Sequence, residues 1–165
     1  MTAESIRKTF ADEAEFVAGA VAVVRAWDDL TGKSLLIGLQ GPLGSGKTTW
    51  ARGMLGGLGY AGRVPSPTYT LVEQYPLAGL TVIHADLYRL DADGDRDLDA
   101  LGLRDWLARD ATWVVVEWPE RSPSLLANTD LSIQFESLSE SSRAVSFKAH
   151  SATGTAAIEK LAPSS

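Results

Sequence analysis

The chain has 165 residues, with 15 basic and 21 acidic side chains, a formal net charge of −6 and a sequence pI of about 4.9. A composition of 45% hydrophobic and 22% charged residues is that of a folded chain, and this length suits one domain that buries roughly two-thirds of its unfolded surface. The absence of cysteine excludes disulfides, cysteine-held metals and thiol nucleophiles, and only two histidines, His84 and His150, exclude a histidine-rich metal centre.

Residues 10–27 predict the first helix, because Phe10, Ala14, Val17, Ala18, Val21 and Val24 recur at three- and four-residue spacing. Asp28, Asp29, Thr31 and Gly32 break it. Residues 34–40 are short, apolar and bounded by turn residues, which reads as a buried strand. A glycine-rich turn over 41–46 leads into helical character over 48–58, which stops at Gly56-Gly57-Leu58-Gly59. Pro65-Ser66-Pro67-Thr68 reads as an extended loop, since each proline fixes its own φ and restrains its predecessor. Strands are expected at 69–75 and 80–87, an acidic soluble stretch at 90–99 and a helix at 98–109. Residues 112–117 form a strongly apolar strand ending on Glu117. Residues 131–135 and 144–147 alternate and should pair; 155–161 suggests a terminal helix, with a loose tail over 158–165. One α/β domain over 1–165 accounts for this order. No apolar run approaches the roughly 20 residues of a membrane span, and the start lacks the layout of a signal peptide, so a soluble, cytoplasmic protein is expected. The acidic balance argues against broad nonspecific nucleic-acid binding.

Gly41-Pro42-Leu43-Gly44-Ser45-Gly46-Lys47-Thr48 fits G-x-x-x-x-G-K-[ST] fully, between an expected strand and an expected helix. Glycines let the backbone curl so that successive N–H groups face phosphate oxygens, and the helix start adds unpaired N–H groups and its positive dipole end. The expected phosphate-binding set is Leu43, Gly44, Ser45, Gly46, Lys47, Thr48 and Thr49. Lys47 would sit on the β- and γ-phosphates, and Thr48 would offer its hydroxyl to Mg²⁺.

Hydrolysis also needs a carboxylate at a strand end to hold the ion and a group to place water. Glu117 follows three valines and fits the ion-side role, one methylene longer than the usual aspartate. Asp86 ends a second short apolar run; it could hold an ion-bound water, orient the attacking one, or cap a turn. His84 reads as a packed strand histidine rather than a ligand. Ser66 and Thr68 lie where nucleotide-sensing loops occur, and Arg89, Arg104 and Arg121 are candidates for phosphate or partner contacts. Trp50, Trp106 and Trp113 read as core, and Trp118 as an aromatic at the site rim or an interface.

Four segments together resemble the bacterial TsaE (YjeE) family: Gly41 through Thr49, Ser66-Pro-Thr-Tyr-Thr-Leu-Val-Glu-Gln-Tyr75, His84-Ala-Asp-Leu-Tyr-Arg-Leu90 and Val116-Glu-Trp-Pro-Glu-Arg121. They run over about half the chain, in the family's order, and fade after Arg121; the acidic stretch 91–99 is longer than the family's usual loop. The resemblance implies a P-loop α/β domain with a mixed parallel and antiparallel sheet. It also implies an ATPase required for threonylcarbamoyl modification of the adenosine next to the anticodon in ANN-decoding tRNAs. Its implied partner is the TsaB–TsaD heterodimer, bound in an ATP-dependent way, with tRNA reached through that complex. Carried over by position, Lys47 and Thr48 bind phosphate and Mg²⁺, and Glu117 is the ion-side carboxylate. Thr68 falls in the switch segment, Asp86 on the aspartate implicated in hydrolysis, and Asp12 and Arg143 towards the adenosine. A small-molecule or nucleotide kinase is the competing reading, but no segment reads clearly as its acceptor lid. A GTPase is disfavoured because no Asn-Lys-x-Asp sequence occurs.

Overall fold

The structure, a computed structural model, describes residues 5–65, 71–90 and 101–162. Its strands are β1 (Ser5–Phe10), β2 (Leu35–Gln40), β3 (Val72–Leu77), β4 (Leu80–Asp86), β5 (Thr112–Glu117), β6 (Leu131–Ser137) and β7 (Arg143–Ala149). Its helices are α1 (Glu13–Ala26), α2 (Lys47–Gly57), α3 (Leu103–Leu107), α4 (Pro123–Ala127) and α5 (Ala152–Glu159). All the described strands join one sheet in the order β1-β7-β6-β2-β5-β4-β3. The middle is parallel, β6 with β2, β2 with β5 and β5 with β4, and antiparallel pairs flank it on both sides. The mixed sheet with flanking helices is the expected fold class.

Strand alternation sorts the central side chains onto two faces. Leu35, Ile37 and Leu39 of β2, Trp113 and Val115 of β5 and Val82 of β4 pack with α1 and α2 in the larger core. Leu36, Val114, Val116, Ile83 and Ala85 face the other way, against Leu103 and Leu125 of the two short helices. Burial on both faces explains why β2 and β5 read as continuous apolar runs.

Several boundaries differ from expectation. Phe10 belongs to a strand, not the first helix: β1 is a sheet edge whose residues are exposed or half-buried, so it lacks the strong alternation that marks a core strand. Helix α1 begins at Glu13, where Asp12 accepts from Glu15 N at 2.8 Å and Glu15 reaches back to accept from Ala11 N, one residue before the cap, at 2.8 Å. Of the expected helix 98–109 the described residues show α3, entered from Gly102 at φ 73, with Leu101 also helical; residues 98–100 lie outside the described set. Trp106 is only partly buried, with the Arg109 guanidinium 4.3 Å from its ring, so it lines the margin of the core rather than filling it. Trp50 and Trp113 are fully buried. Among the described residues no helix is long and apolar enough to cross a membrane.

The loose tail expected from residue 158 is corrected through residue 162. Ser151 caps α5, Ile158 is 0% exposed, and Leu161 packs in the larger core. Trp27 explains the docking: its Nε1 donates to Ala157 O at 2.9 Å while its ring meets Trp113 edge-on at 6.0 Å. Ile158→Ala should therefore lower stability by about 2–5 kcal/mol, the range for truncating a buried aliphatic side chain. Urea unfolding measures it; a midpoint equal to wild type would mean that the terminal helix is not part of the core.

Candidate functional site

The polar residues gather where the apolar rows end. On the α1–α2 face, the row Trp113, Val115 continues into Glu117, and the row Val82 continues into His84 and Asp86. The β4–β5 register sets Asp86 directly beside Glu117 at the carboxyl ends of parallel strands, where open α/β sheets place their ligands. Both carboxylates are almost fully buried, at 4% and 3% exposure.

From β2 the chain turns through residues 41–46 into α2. Two glycines make that path possible. A Cβ at Gly41 would lie 2.9 Å from Phe135 O, and Gly46 combines φ 105 with a site where a Cβ would lie 2.8 Å from the Phe16 ring. The aromatic bed beneath, Phe16 against Trp50 at 5.2 Å and against Phe135 at 6.0 Å, sets the height of the loop. Side-chain oxygens of Asp12, Ser122 and Ser151 cap α1, α4 and α5, whereas no side chain caps α2. The N–H groups at its start are thereby left to an outside acceptor.

Lys47 is buried and its ammonium donates to Gly41 O at 2.6 Å and Pro42 O at 2.9 Å. Burial lowers its pKa from the usual lysine value, while Glu117, Asp86 and Glu120 oppose that shift by charge. Its ammonium also lies 4.6 Å from the Trp118 ring centroid. Trp118 holds a left-handed backbone, φ 60, and its ring packs on Tyr88 at 4.9 Å. A bulky residue in that conformation, directly after Glu117, is strain concentrated at the site. Thr48 Oγ1 donates to Glu117, 2.8 Å from Oε1 and 3.0 Å from Oε2, and His84 Nε2 lies 2.7 Å from Oε2.

These groups open onto a cavity of about 560 Å³ lined by Leu43, Gly44, Gly46, Lys47, Thr48, Thr49, Asp86, Glu117 and Arg143, all anticipated. Ser45 is buried beneath the loop, its hydroxyl 3.5 Å from Lys47 Nζ, and is not among the lining residues. Asp12 also falls outside the wall, since its carboxylate is engaged in capping α1; its neighbour Glu13 lines the cavity instead. Arg143 donates through Nη1 to Ser139 O and Ser142 O at the β6–β7 turn. Ser66 and Thr68 lie outside the described residues. Arg89 lines the cavity, Arg121 stands 5.6 Å from the Tyr88 ring, and Arg104 lines a separate hollow beside Asp130. Sequence reasoning missed Phe16, Tyr88, Glu140 and Ser141 as wall residues, and read His84 only as packing. For His84 a signal existed: it stands two residues before Asp86 and so on the same strand face.

The model of the family "Threonylcarbamoyl adenosine biosynthesis protein TsaE" matches residues 11–145. The Haemophilus influenzae tRNA threonylcarbamoyladenosine biosynthesis protein TsaE is 44% identical over 106 residues, which are 64% of this chain and 65% of that protein. The chain thus spans just under two thirds of that relative's length. The protein of the same name from Mycobacterium tuberculosis H37Rv is 35% identical over 158 residues, 86% of this chain and 93% of the relative. The crystal structure of Bacillus subtilis YdiB superposes with a TM-score of 0.72 over 98% of this chain and 95% of that one; at 23% identity it speaks for the fold. Family model, relatives and fold agree, and the chain belongs to the TsaE family of threonylcarbamoyl adenosine biosynthesis proteins.

Proposed function

We propose that this chain binds and hydrolyses ATP with Mg²⁺, in the service of threonylcarbamoyl modification of the adenosine next to the anticodon in ANN-decoding tRNAs. In this reading it works in the cytoplasm and associates with the TsaB–TsaD heterodimer while ATP is bound, and tRNA is met through that complex. The observation that carries the reading is the meeting of Lys47, Thr48, Glu117 and Asp86 at one end of the parallel strands, beneath an uncapped helix start. Phosphate oxygens would replace the loop carbonyls that now accept from Lys47, exchanging neutral acceptors for charged ones.

The donor set suits a hard divalent cation. Thr48 and Glu117 offer only oxygen, and the hydroxyl already meets the carboxylate. Among the described residues no cluster of three or more histidine, cysteine, aspartate or glutamate side chains could hold an ion alone. Mg²⁺ would therefore take its remaining oxygens from phosphate and water, as it commonly does. The bound ion would offset charge on the transferring phosphoryl group. Asp86, beside Glu117 in the ladder, is assigned to ordering water, and Thr68 to the switch segment that senses the γ-phosphate. The base is assigned to the part of the wall that carries Glu13 and Arg143.

Lys47→Ala should weaken ATP binding by about 100-fold, the worth of roughly 3 kcal/mol of charge-assisted bonding; titration calorimetry that finds wild-type affinity overturns the assignment. Glu117→Gln should leave nucleotide binding measurable and slow hydrolysis by about 100-fold, since roughly 3 kcal/mol of transition-state stabilisation depends on the ion. A pulldown with TsaB–TsaD should retain the chain under ATP and release it under ADP. Phosphoryl transfer to a metabolite, with no stimulation of hydrolysis by the protein pair, would replace this reading with a kinase.

A further inference from the structure

The geometry points to His84 as the positioning residue for Glu117, an assignment that rests on the ATP–Mg²⁺ reading above. His84 is 0% exposed, on β4 beneath the site, and Nε2 lies 2.7 Å from Glu117 Oε2. A carboxylate only accepts, so the bond has Nε2–H donating. His84 Nδ1 is buried and finds no partner among the described residues. A proton there would be an unpaired buried donor, a costly group, so the favoured ring carries its proton on Nε2 and leaves Nδ1 bare.

The consequence falls on the carboxylate. The imidazole occupies Oε2, while the Thr48 hydroxyl stands closer to Oε1. His84 thus fixes the rotation of the Glu117 carboxylate about its last bond and leaves Oε1 as the oxygen open to the ion beside Thr48. Glutamate needs this restraint more than aspartate would, having one more rotatable bond. Outer partners of ion-holding carboxylates act in this way, and their loss typically costs about 10- to 100-fold in metal affinity.

The test is calorimetric titration of a non-hydrolysable ATP analogue into the full chain over a Mg²⁺ series. His84→Phe should bind the analogue without Mg²⁺ as wild type does, yet require about 10- to 100-fold more Mg²⁺ for the ion-dependent gain. His84→Gln, whose amide can still donate to Oε2, should recover most of that loss. An unaltered Mg²⁺ requirement in His84→Phe overturns this inference alone; a wild-type chain that binds no analogue at any Mg²⁺ concentration overturns the proposed function and this inference with it. Imidazole ¹⁵N shifts of the nucleotide-free wild-type chain give a second readout, independent of variant folding. They should show His84 protonated at Nε2 and bare at Nδ1, and a proton on Nδ1 alone overturns the inference.

Discussion

The register of β4 against β5 against β2 is the constraint on which the site depends. Asp86 opposes Glu117, Val116 opposes Gly38 and Glu117 opposes Leu39, so β5 stands between the loop-bearing strand and the strand of His84 and Asp86. Because side chains alternate with a period of two, a slip of one residue would turn Glu117 to the opposite face. It would also expose Trp113 and Val115 to a layer built for smaller groups. The apolar rows that stabilise the sheet are therefore what holds the polar rows in place. Trp113 ties this together, since its Nε1 donates to Leu30 O and its ring supports Trp27 over the terminal helix.

A second layer of dependence runs through the aromatic bed under residues 41–46. The loop is not held by its own sequence alone. Phe16 from α1, Phe135 from β6 and Trp50 from α2 meet beneath it, and Phe10 from β1 joins them at 5.8 Å from Phe16 and 5.9 Å from Trp50. Rings packed edge-on or tilted at these distances are specific in geometry as well as favourable. They connect the edge strand to the loop, which gives β1 a role beyond closing the sheet. The paired caps at Asp12 and Glu15 anchor the turn between β1 and α1, and so fix where Phe16 stands.

Much of this was legible in the chain, for identifiable reasons. The central strands β2 and β5 are buried on both faces, and short apolar runs between turn residues betray them. The loop announces itself because curled backbone needs glycine at set intervals, and Glu117 because a carboxylate after three valines has few other uses. What escaped depends on contacts distant in sequence. β1 is an edge strand, half solvated, so its alternation is faint. Asp12 is claimed by a local cap, the strongest competing use for an aspartate before a helix. Tyr88 and Glu140 reach the cavity only because the chain after β4 and the β6–β7 turn, separated in the sheet by β2 and β5, border the same space. Ile158 and Leu161 look like a fraying end until Trp27 is seen to receive them.

The electrostatics of the cavity bear on how its parts must work together. Two nearly buried carboxylates and one buried lysine share a small volume, in a chain of net charge −6. The two carboxylates oppose a polyphosphate, and a cation between acid and phosphate relieves that repulsion beyond what Lys47 and the wall residues Arg89 and Arg143 supply. Lys47 cannot do this alone, for it already balances against Glu117, Asp86 and Glu120 while burial disfavours its charge. Under the proposed function, nucleotide and Mg²⁺ would bind cooperatively, each strengthening the site for the other. The same overall charge gives little attraction to an RNA backbone. Under the proposed function, that suits a chain which handles nucleotide and protein partners, with tRNA left to another surface of the assembly.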